Sequence, residues 1–464
     1  MSISAIGFLG VYALCLGLAF YKHPIFGLYA YLWAFYNHPP SRWWGVELPD
    51  LRWSLLAAVI TLFAVLLRQG CPNRRAWYAN WAAVFLIGFT GWMWVQSLWA
   101  IDPVHSDGIV LFAKYILLFF LIYATVSDEN LLELFGWGHV AGCFIFSWIA
   151  FRDPIVGRLE TVGGPGVDDS NVLAAHLMTG LAFAGFMFLA TSGKRRWIAL
   201  AAIPFVMNAI ILTQSRGAFI GVLAAGLAAW YLAPPGNRRI LYAVAPLALL
   251  LFLRLANDQF WQRMDTIKVT GMEEIQEASA KSRIEVVKAN WQMFEDHPMG
   301  VGYRGNLFLS PQYIAAEFLS VNTGLRAAHN TMMAVLADAG LPGAVLFTVL
   351  IVWVGYTLWQ LKRLDKNGLS SSLAIYRAAI GASLMGLLIS GQFLNLFSAE
   401  VQIWMVALLA SLKDLSFRSV TVQRLIVFRY APDPGTLYRF SVCGLEVFCA
   451  SLKNSNQASN PGLA

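Results

Sequence analysis

Long apolar runs separated by short polar segments dominate the chain as far as residue 415. Twelve of these runs are long enough to cross ~30 Å of hydrocarbon as helices. They cover residues 3–20, 52–67, 81–99, 109–126, 136–151, 172–191, 197–213, 217–233, 240–256, 334–358, 377–395 and 400–415. A shorter run at 24–36, rich in Tyr and Trp, forms either a short span or a re-entrant segment. The pattern predicts an all-α, polytopic membrane helix bundle of 12 or 13 transmembrane helices.

One connection between these runs is longer and more polar than the others. Residues 257–330 hold 16 charged residues, seven basic and nine acidic, so this stretch faces water. Within it, Ser282 and Glu285 match a capping box and predict a helix over 282–296, which the pair His297-Pro298 ends. The apolar residues of this helix repeat at helical spacing and predict that it lies on the membrane-embedded body: Ile284, Val287, Trp291 and Phe294.

These features predict four parts of the chain. They are an N-terminal transmembrane bundle (1–256), a large loop (257–330), C-terminal transmembrane helices (331–415) and a tail (416–464). The tail carries several Arg and few acids, so we expect it in the cytoplasm beside anionic lipid headgroups. Its polar end, 453–464, is predicted to be disordered.

Basic residues in the short loops predict the orientation. Lys and Arg cluster in four of these loops, and an even number of predicted spans separates each cluster from the next. By the positive-inside rule their shared face is cytoplasmic, which makes the 257–330 loop periplasmic. The clusters are Arg68, Arg74 and Arg75, then Lys194, Arg195 and Arg196, then Arg238 and Arg239, then Lys362, Arg363, Lys366 and Arg377.

Composition supports a membrane protein and excludes other classes. Of the 464 residues, 58% are hydrophobic and 13% are charged, against ~45–50% and ~25% in soluble domains. These values exclude a soluble enzyme, a disordered chain and a secreted disulfide scaffold. The net charge of +7 is not gathered on one basic face, so we expect no nucleic-acid partner. The five cysteines are scattered without a CxxC or metal-ligand spacing.

Three arginines at the predicted outer face are candidates for binding an anionic substrate. Arg216 begins a span, where an Arg at depth costs ~2.5–3.5 kcal/mol, so it either snorkels to water or is a fixed cation. Arg283 stands at the predicted start of the loop helix, where the helix dipole disfavours a cation unless Glu285 or a bound anion lies nearby. Arg304 is the third candidate. For both loop arginines, an ordinary solvated charge is the alternative.

His329 stands where the long loop re-enters the membrane. Imidazole titrates near neutral pH and can take a proton from a hydroxyl group, so His329 is a candidate general base. The alternative is a His at a helix start that bonds to the backbone. Asn330 would orient His329 or bind sugar. His176 lies on an apolar span and is interpreted as a packed or lipid-facing side chain.

No motif predicts a metal site. The chain has no HExxH, no DxD pair in an outer loop and no Cys/His cluster. Asp168 and Asp169 could form one Ca²⁺ or Mg²⁺ site, but a helix cap by Asp169, Ser170 or Asn171 is the favoured interpretation. We therefore expect neither a metal nor another cofactor.

Several motifs along the chain resemble those of the bacterial O-antigen ligase and polymerase superfamily. Ser215-Arg216-Gly217 resembles its Ser-Arg-Gly signature, and Asp169-Ser170-Asn171 resembles its Asp-Pro-Asn with Ser in place of Pro. His297-Pro298-Met299-Gly300-Val301-Gly302 resembles the motif that follows its loop helix. His329-Asn330 and residues 338–343 resemble its His-Asn and Glu-x-Gly-x-x-Gly block, with Asp338 in place of Glu. Tyr36-Asn37-His38-Pro39-Pro40 further resembles the O-glycosylation ligases associated with exosortase A systems.

The resemblance implies a GT-C-like bundle in the bacterial inner membrane and a glycan donor on undecaprenyl pyrophosphate. It implies metal-independent transfer at the periplasmic face, with inversion at the anomeric carbon. Carried onto this chain, Arg216 and Arg283 bind the pyrophosphate, since guanidinium groups bind phosphate bidentately, and His329 takes the proton of the acceptor hydroxyl. Arg304, Asn330 and Asn171 complete the predicted substrate-binding set.

Several alternatives stay open at this point. Lipid A core, a growing polymer and a protein Ser or Thr all offer an acceptor hydroxyl, so a polysaccharide polymerase is the nearest alternative to a ligase. A transporter or flippase for a lipid-linked sugar would place charges along a path through several spans, whereas here nearly all ionisable residues lie in loops or at the ends of spans. A structural scaffold would leave the Arg and His motifs unexplained.

Overall fold

The computed structural model describes residues 1–68, 75–101, 104–153, 157–160, 162–164, 166–256, 258, 260–261, 273–367, 369–429, 438–442 and 445–449. Arg74 and residues 453–464 lie outside the described residues, as do the side chains of Arg283 and Lys366. The fifteen α-helices of the described part are α1 (Ile3–Tyr21), α2 (Ile25–Asn37), α3 (Trp53–Leu67), α4 (Trp81–Gln96), α5 (His105–Thr125), α6 (Glu129–Arg152), α7 (Ser170–Ala190), α8 (Arg195–Leu212), α9 (Arg216–Leu232), α10 (Pro235–Leu255), α11 (Glu273–Asp296), α12 (Gly305–Tyr313), α13 (Thr331–Arg363), α14 (Ser371–Ser390) and α15 (Glu400–Arg429). An antiparallel hairpin follows, in which β1 (Tyr438–Val442) pairs with β2 (Leu445–Cys449).

A helix coincides with every predicted apolar run, and the polytopic helical membrane fold is confirmed. Among the described residues, seven helices are long and apolar enough to cross a membrane, namely α1, α5, α6, α7, α8, α13 and α14. Three shorter apolar helices, α3, α4 and α9, accompany them. The aromatic run at 24–36 is a continuous helix, α2, whose 13 residues span ~20 Å. The last helix, α15, continues beyond residue 416 to Arg429.

The most enclosed of the seven spanning helices is α14, which packs against both α7 and α9. Glycines allow this close approach, because they leave room that any larger side chain would fill. A Cβ atom on Gly221 of α9 would collide with the Ser390 hydroxyl, and one on Gly381 of α14 would collide with Leu232. The two ends of α9 are therefore held in fixed positions against α14.

Basic side chains from separate loops converge on one end of the bundle, which we call the basic end. Arg238 and Lys362 donate to the carbonyl oxygen of Tyr231 at 3.0 and 2.6 Å. Arg377 donates to the carbonyl oxygen of Leu232 at 2.6 Å. These groups all lie where α9 ends, whereas Arg216 lies where it begins. Two of the four loops that the charge pattern assigns to one face thus meet at one end of the bundle.

Arg377 itself was predicted to lie in a short loop, and this prediction is wrong. The residue lies within α14 and is completely buried, because that helix begins six residues earlier, at Ser371. Its guanidinium group binds both carboxylate oxygens of Asp365, at 2.5 and 3.0 Å. This bidentate ion pair supplies the partner that a buried charge requires.

Reporter fusions should place the basic end in the cytoplasm and the large loop in the periplasm. Loops rich in Lys and Arg stay on the cytoplasmic side during insertion. Fusions after Arg75, Arg196, Arg239 and Lys366 should therefore give cytoplasmic reporter activity, and a fusion after Gly300 should give periplasmic activity. Paired phosphatase and fluorescent-protein fusions measure this. The orientation is contradicted if any of the first four reports the same side as the Gly300 fusion.

The helix of the large loop differs from its prediction in where it starts and in which face it buries. It begins at Glu273, not at residue 282, because the acidic stretch before Ser282 is also helical. Ser282 is therefore an interior residue and not a cap. The end of the helix at Asp296, before His297-Pro298, is confirmed.

The buried face of this helix is made of Val286, Ala289 and Met293, each at most 2% exposed. The predicted apolar face is instead exposed, with Ile284 at 55% and Trp291 at 48%. Because α11 starts earlier, Arg283 is not at its N-terminus either. The dipole argument for an anion beside Arg283 consequently fails.

Candidate functional site

Of the described helices that begin at the end of the bundle opposite the basic end, three start with a side-chain cap. Asp169 begins α7 and accepts from two backbone N–H groups, at 2.8 and 3.1 Å, as the capping interpretation predicted. Ser215 begins α9 and accepts from one at 3.3 Å, and Asn330 begins α13 and accepts from one at 3.0 Å. Each cap satisfies part of the unpaired backbone at a helix N-terminus. We call these three points the helix starts.

Arg158 joins the starts of α7 and α9, although it is not among the residues predicted from the sequence. Its Nε donates to the carbonyl oxygen of Thr213 at 3.1 Å, and its Nη2 donates to the side-chain oxygen of Asn171 at 3.0 Å. The predicted binding residue Asn171 thus already has its amide oxygen engaged. No sequence signal for Arg158 exists, because its partners are 13 and 55 residues away.

A turn after α14 joins the starts of α9 and α13. Asn330 donates from Nδ2 to the carbonyl oxygen of Gln392 at 3.1 Å, and Thr331 donates to that of Leu394 at 2.9 Å. On the other side, a Cβ atom on Gly217 would lie only 2.7 Å from Cβ of Phe393. The residue after Arg216 and the residue after His329 therefore contact the same turn.

Arg216 occupies the first position of α9 and is partly exposed. Within the described part of the chain, no carboxylate forms an ion pair with it. The preceding Gln214 has a left-handed backbone with φ of +51°, a conformation that is uncommon outside glycine. The turn that presents Arg216 is therefore strained, as backbone at functional sites often is.

His329 is exposed at the start of α13 and also has a left-handed backbone, with φ of +48°. It lines a small cavity of about 60 Å³ between the large loop and the membrane helices. The other lining residues are Val286, Val287, Arg326, Ala328, Asn330, Gln392 and Phe393. His329 and Asn330 thus line one cavity, next to the turn that contacts the Arg216 helix.

Arg326 is a cation at this cavity that sequence reasoning missed. Its Nη2 donates to the Ser282 hydroxyl at 3.0 Å, and its backbone N–H donates to the Ser310 hydroxyl at 2.8 Å. Its Nε is buried and has no hydrogen-bond partner among the described residues. A buried donor without a partner is costly, so this N–H group is available to a bound anion. The available signal was its position three residues before His329.

Arg304 lies apart from these groups. Its backbone N–H donates to one Asp338 carboxylate oxygen at 3.0 Å, and that of Asn306 donates to the other at 2.8 Å. Its side chain is exposed and is not among the groups that line the cavity containing His329. Burial raises the pKa of the neighbouring Tyr303 phenol.

Two of the motifs found in the sequence bind each other and form what we call the glycine clasp, residues 297–302 against 338–343. Backbone N–H groups of Val301 and Gly302 donate to the carbonyl oxygens of Ala337 and Asp338 at 3.1 and 2.9 Å. Gly300 (φ +81°) and Gly340 (φ +64°) contact each other through their backbones. A Cβ atom on either glycine would collide with the other segment of the clasp. The helix α13 is kinked at Gly340. The two motifs therefore dock the large loop on this kink.

A second group of reactive side chains lies inside the bundle and was also missed. His139, Cys143 and His176 are completely buried and close together, so His176 is packed and not lipid-facing. The expectation that the chain has no Cys/His cluster is wrong, because His139, Cys143 and His176 form such a cluster in the folded structure. The available signal was the four-residue spacing of His139 and Cys143, which places both on one face of a helix.

Comparison with known proteins adds to this geometry. Residues 200–348 match a family model described as O-Antigen ligase (Wzy_C). The matched segment contains Arg216, both sides of the glycine clasp and His329. No curated protein matches the chain. Residues 200–348 of this polytopic membrane protein are therefore similar to the O-antigen ligase domain.

Proposed function

We propose that this protein transfers a glycan from undecaprenyl pyrophosphate to an acceptor hydroxyl group at the periplasmic face of the inner membrane. The observation that carries the proposal is that Arg326 and His329 line one cavity, whose wall includes Phe393, the residue that the helix begun by Arg216 contacts. Two cations that never lose their charge and one group able to take a proton are the parts that such a reaction needs.

The helix starts favour an anionic leaving group. The N-terminus of a helix carries about half a positive charge and exposed backbone N–H groups. Arg216 adds a full charge there, and Arg326 offers a buried N–H group without a partner among the described residues. A diphosphate would satisfy these donors. Because charge accumulates on the diphosphate as the glycan leaves, the same contacts would stabilise the transition state.

An apolar groove of about 170 Å³ lies below this site, between α13, α14 and α15. Its walls include Met332, Phe347, Ile351, Leu384 and Leu388, while Thr331 and Gln392 stand at its polar end. Gln392 also lines the cavity that contains His329. A polyprenyl tail in the groove would place its diphosphate beside the helix starts, which fits a lipid-linked donor better than a soluble nucleotide sugar.

In the proposed reaction, the oxygen of the acceptor hydroxyl attacks the anomeric carbon from the face opposite the diphosphate. His329 takes the hydroxyl proton, the bond from carbon to the diphosphate oxygen breaks, and the electron pair leaves on the diphosphate. The anomeric configuration is inverted. Arg216 and Arg326 bind the departing group, and the role of Arg283 in this binding rests on the resemblance of the sequence motifs alone. The assignment of Asn330, Asn171 and Arg304 to substrate binding stays a prediction from the sequence.

Transfer by the purified protein in detergent tests this function. The chain should move glycan from a lipid pyrophosphate donor to an acceptor without a membrane or an ion gradient. Separate reactions with lipid A core, a second repeat unit and a Ser/Thr peptide would distinguish a lipid ligase, a polymerase and an O-glycosylation ligase of the exosortase type. Donor that is bound but never consumed in any reaction would instead indicate a transporter.

Glycan transfer should persist when Mg²⁺ and Ca²⁺ are removed. The arginines and the helix starts supply the positive charge that a metal supplies in other transferases, so no Mg²⁺ or Ca²⁺ is needed. The measurement is the initial rate in EDTA compared with the rate in added Mg²⁺, and we expect the two to agree within about twofold. Loss of turnover in EDTA, restored by Mg²⁺, would assign the charge stabilisation to Asp168 and Asp169.

A further inference from the structure

The cluster of His139, Cys143 and His176 contains donors of the kind that bind transition metals. One ligand atom of each residue lies within 4.8 Å of the others. A fourth donor, the Tyr36 hydroxyl from α2, lies 2.7 Å from His139 Nδ1 and 2.8 Å from His176 Nε2. It also lies 3.6 Å from Cys143 Sγ. Four donors from three helices thus surround one point.

The hydrogen bonds on the outside of the cluster fix the tautomer of His139. Thr179 donates its only hydroxyl hydrogen to the backbone oxygen of His176, at 2.7 Å. Its oxygen must therefore accept from His139 Nε2, which lies 2.9 Å away. A neutral His139 ring consequently presents the lone pair of Nδ1 to the cluster. Metal-binding histidines are oriented by an outer acceptor in this way.

Glycines create the space in which the donors meet. A Cβ atom on Gly180 would collide with Cys143 Sγ, and one on Gly142 would collide with the Tyr36 ring. Aromatic rings of Phe146 and Trp404 pack on Tyr36 and His176 from other sides. The cluster is therefore enclosed by apolar groups.

We propose that His139, Cys143, His176 and Tyr36 bind one Zn²⁺ ion. Tetrahedral zinc has bonds of about 2.0–2.3 Å to nitrogen, oxygen and sulfur, so its ligands lie ~3.3–3.6 Å apart, and shifts of about 1 Å or less bring the four donors to this spacing. Binding releases the protons of Cys143 and Tyr36. The thiolate and the phenolate then balance the two charges of the ion, and the enclosed site is neutral, as burial in apolar surroundings requires.

The proposed ion has a structural role, because it joins α2, α6 and α7 at a point with no open ligand position. It is separate from the helix starts and takes no part in glycan transfer. Mg²⁺ and Ca²⁺ prefer oxygen ligands, so the nitrogen and sulfur donors select zinc over these ions. The inference stands whether or not the proposed transferase activity is correct.

Metal analysis of the full chain, purified in detergent without chelator, tests the proposal. We expect about one zinc per chain, and a thiolate-to-cobalt charge-transfer band after exchange with Co²⁺. Cys143→Ser should lose the band and bind zinc at least ~10-fold more weakly. Cys15→Ser is the matched control, since Cys15 is the other described free cysteine and lies on α1. The Cys15→Ser protein should bind zinc as the wild type does and should show the same charge-transfer band with Co²⁺.

Tyr36→Phe provides a second variant that keeps the packed ring, in case Cys143→Ser does not fold. It should also bind zinc at least ~10-fold more weakly, because it removes a ligand oxygen. The proposal is overturned if folded wild-type protein, incubated with zinc and desalted, holds less than about 0.1 zinc per chain. Zinc retained at full affinity by Cys143→Ser would overturn it as well, and copper in place of zinc would overturn the choice of ion.

Discussion

Replacing His329 by alanine should lower the turnover of glycan transfer by about 10²–10⁴-fold, the range typical for loss of a general base. The affinity for the lipid-linked donor should stay nearly unchanged, because the cations that bind the diphosphate remain. The helix should still form, since Asn330 and not His329 provides its cap. Single-turnover rates and donor titrations, measured separately, distinguish the two effects.

His297→Ala is a suitable control for this variant. His297 is an exposed histidine of the same large loop, just after the loop helix, and its loss should leave the rate within about twofold. Added imidazole should restore part of the activity of His329→Ala, but only if the missing function is proton transfer. A near-wild-type rate for His329→Ala at neutral pH would remove His329 from the role of base.

Replacing Arg216 by lysine should be nearly as damaging, although the charge is kept. A guanidinium group binds two phosphate oxygens at once, and an ammonium group cannot reproduce this planar pair of hydrogen bonds. We expect a loss of about 10²-fold in turnover, comparable to removing one preorganised donor from an oxyanion site. Rates at saturating donor measure this loss, and detergent-solubilised yield checks that the protein still inserts.

Arg195→Lys is the matched control for this change. Arg195 is the first residue of α8, as Arg216 is of α9, but it lies exposed at the cytoplasmic side of the predicted topology. Lysine at this position should have full activity. Full activity of Arg216→Lys as well would mean that Arg216 is an interfacial anchor that snorkels to water. The assignment of Arg216 to pyrophosphate binding would then be wrong.

The membrane helices could be predicted from the sequence because burial in lipid requires long apolar runs whatever the helices contact. Predictions from the sequence were wrong where tertiary contacts override this signal. Arg377 reads as a loop residue because it is charged, yet Asp365 gives it a partner inside the bundle. The loop helix starts at Glu273 because helical sequence continues upstream of a motif that resembles a cap.

The candidate site could be predicted only in part, and for a related reason. Arg216, His329 and Asn330 are recognisable because each stands in a short motif at a helix start. Arg158 and Arg326 have no motif, since their partners come from distant segments of the chain. The buried face of α11 was misplaced because its apolar residues lie on two sides, and periodicity alone does not say which side meets protein.

The glycine clasp has a consequence for building hybrid proteins. Residues 297–302 and 338–343 contact each other directly through their backbones, and the Gln96 side chain of α4 donates to a carbonyl oxygen of each segment. Neither segment can be exchanged against a foreign partner unless both glycines are retained. A graft that exchanges the loop for one of different acceptor specificity should therefore take its boundaries outside the clasp and carry 297–343 as one cassette. A graft cut between the two segments would separate surfaces that fit only each other.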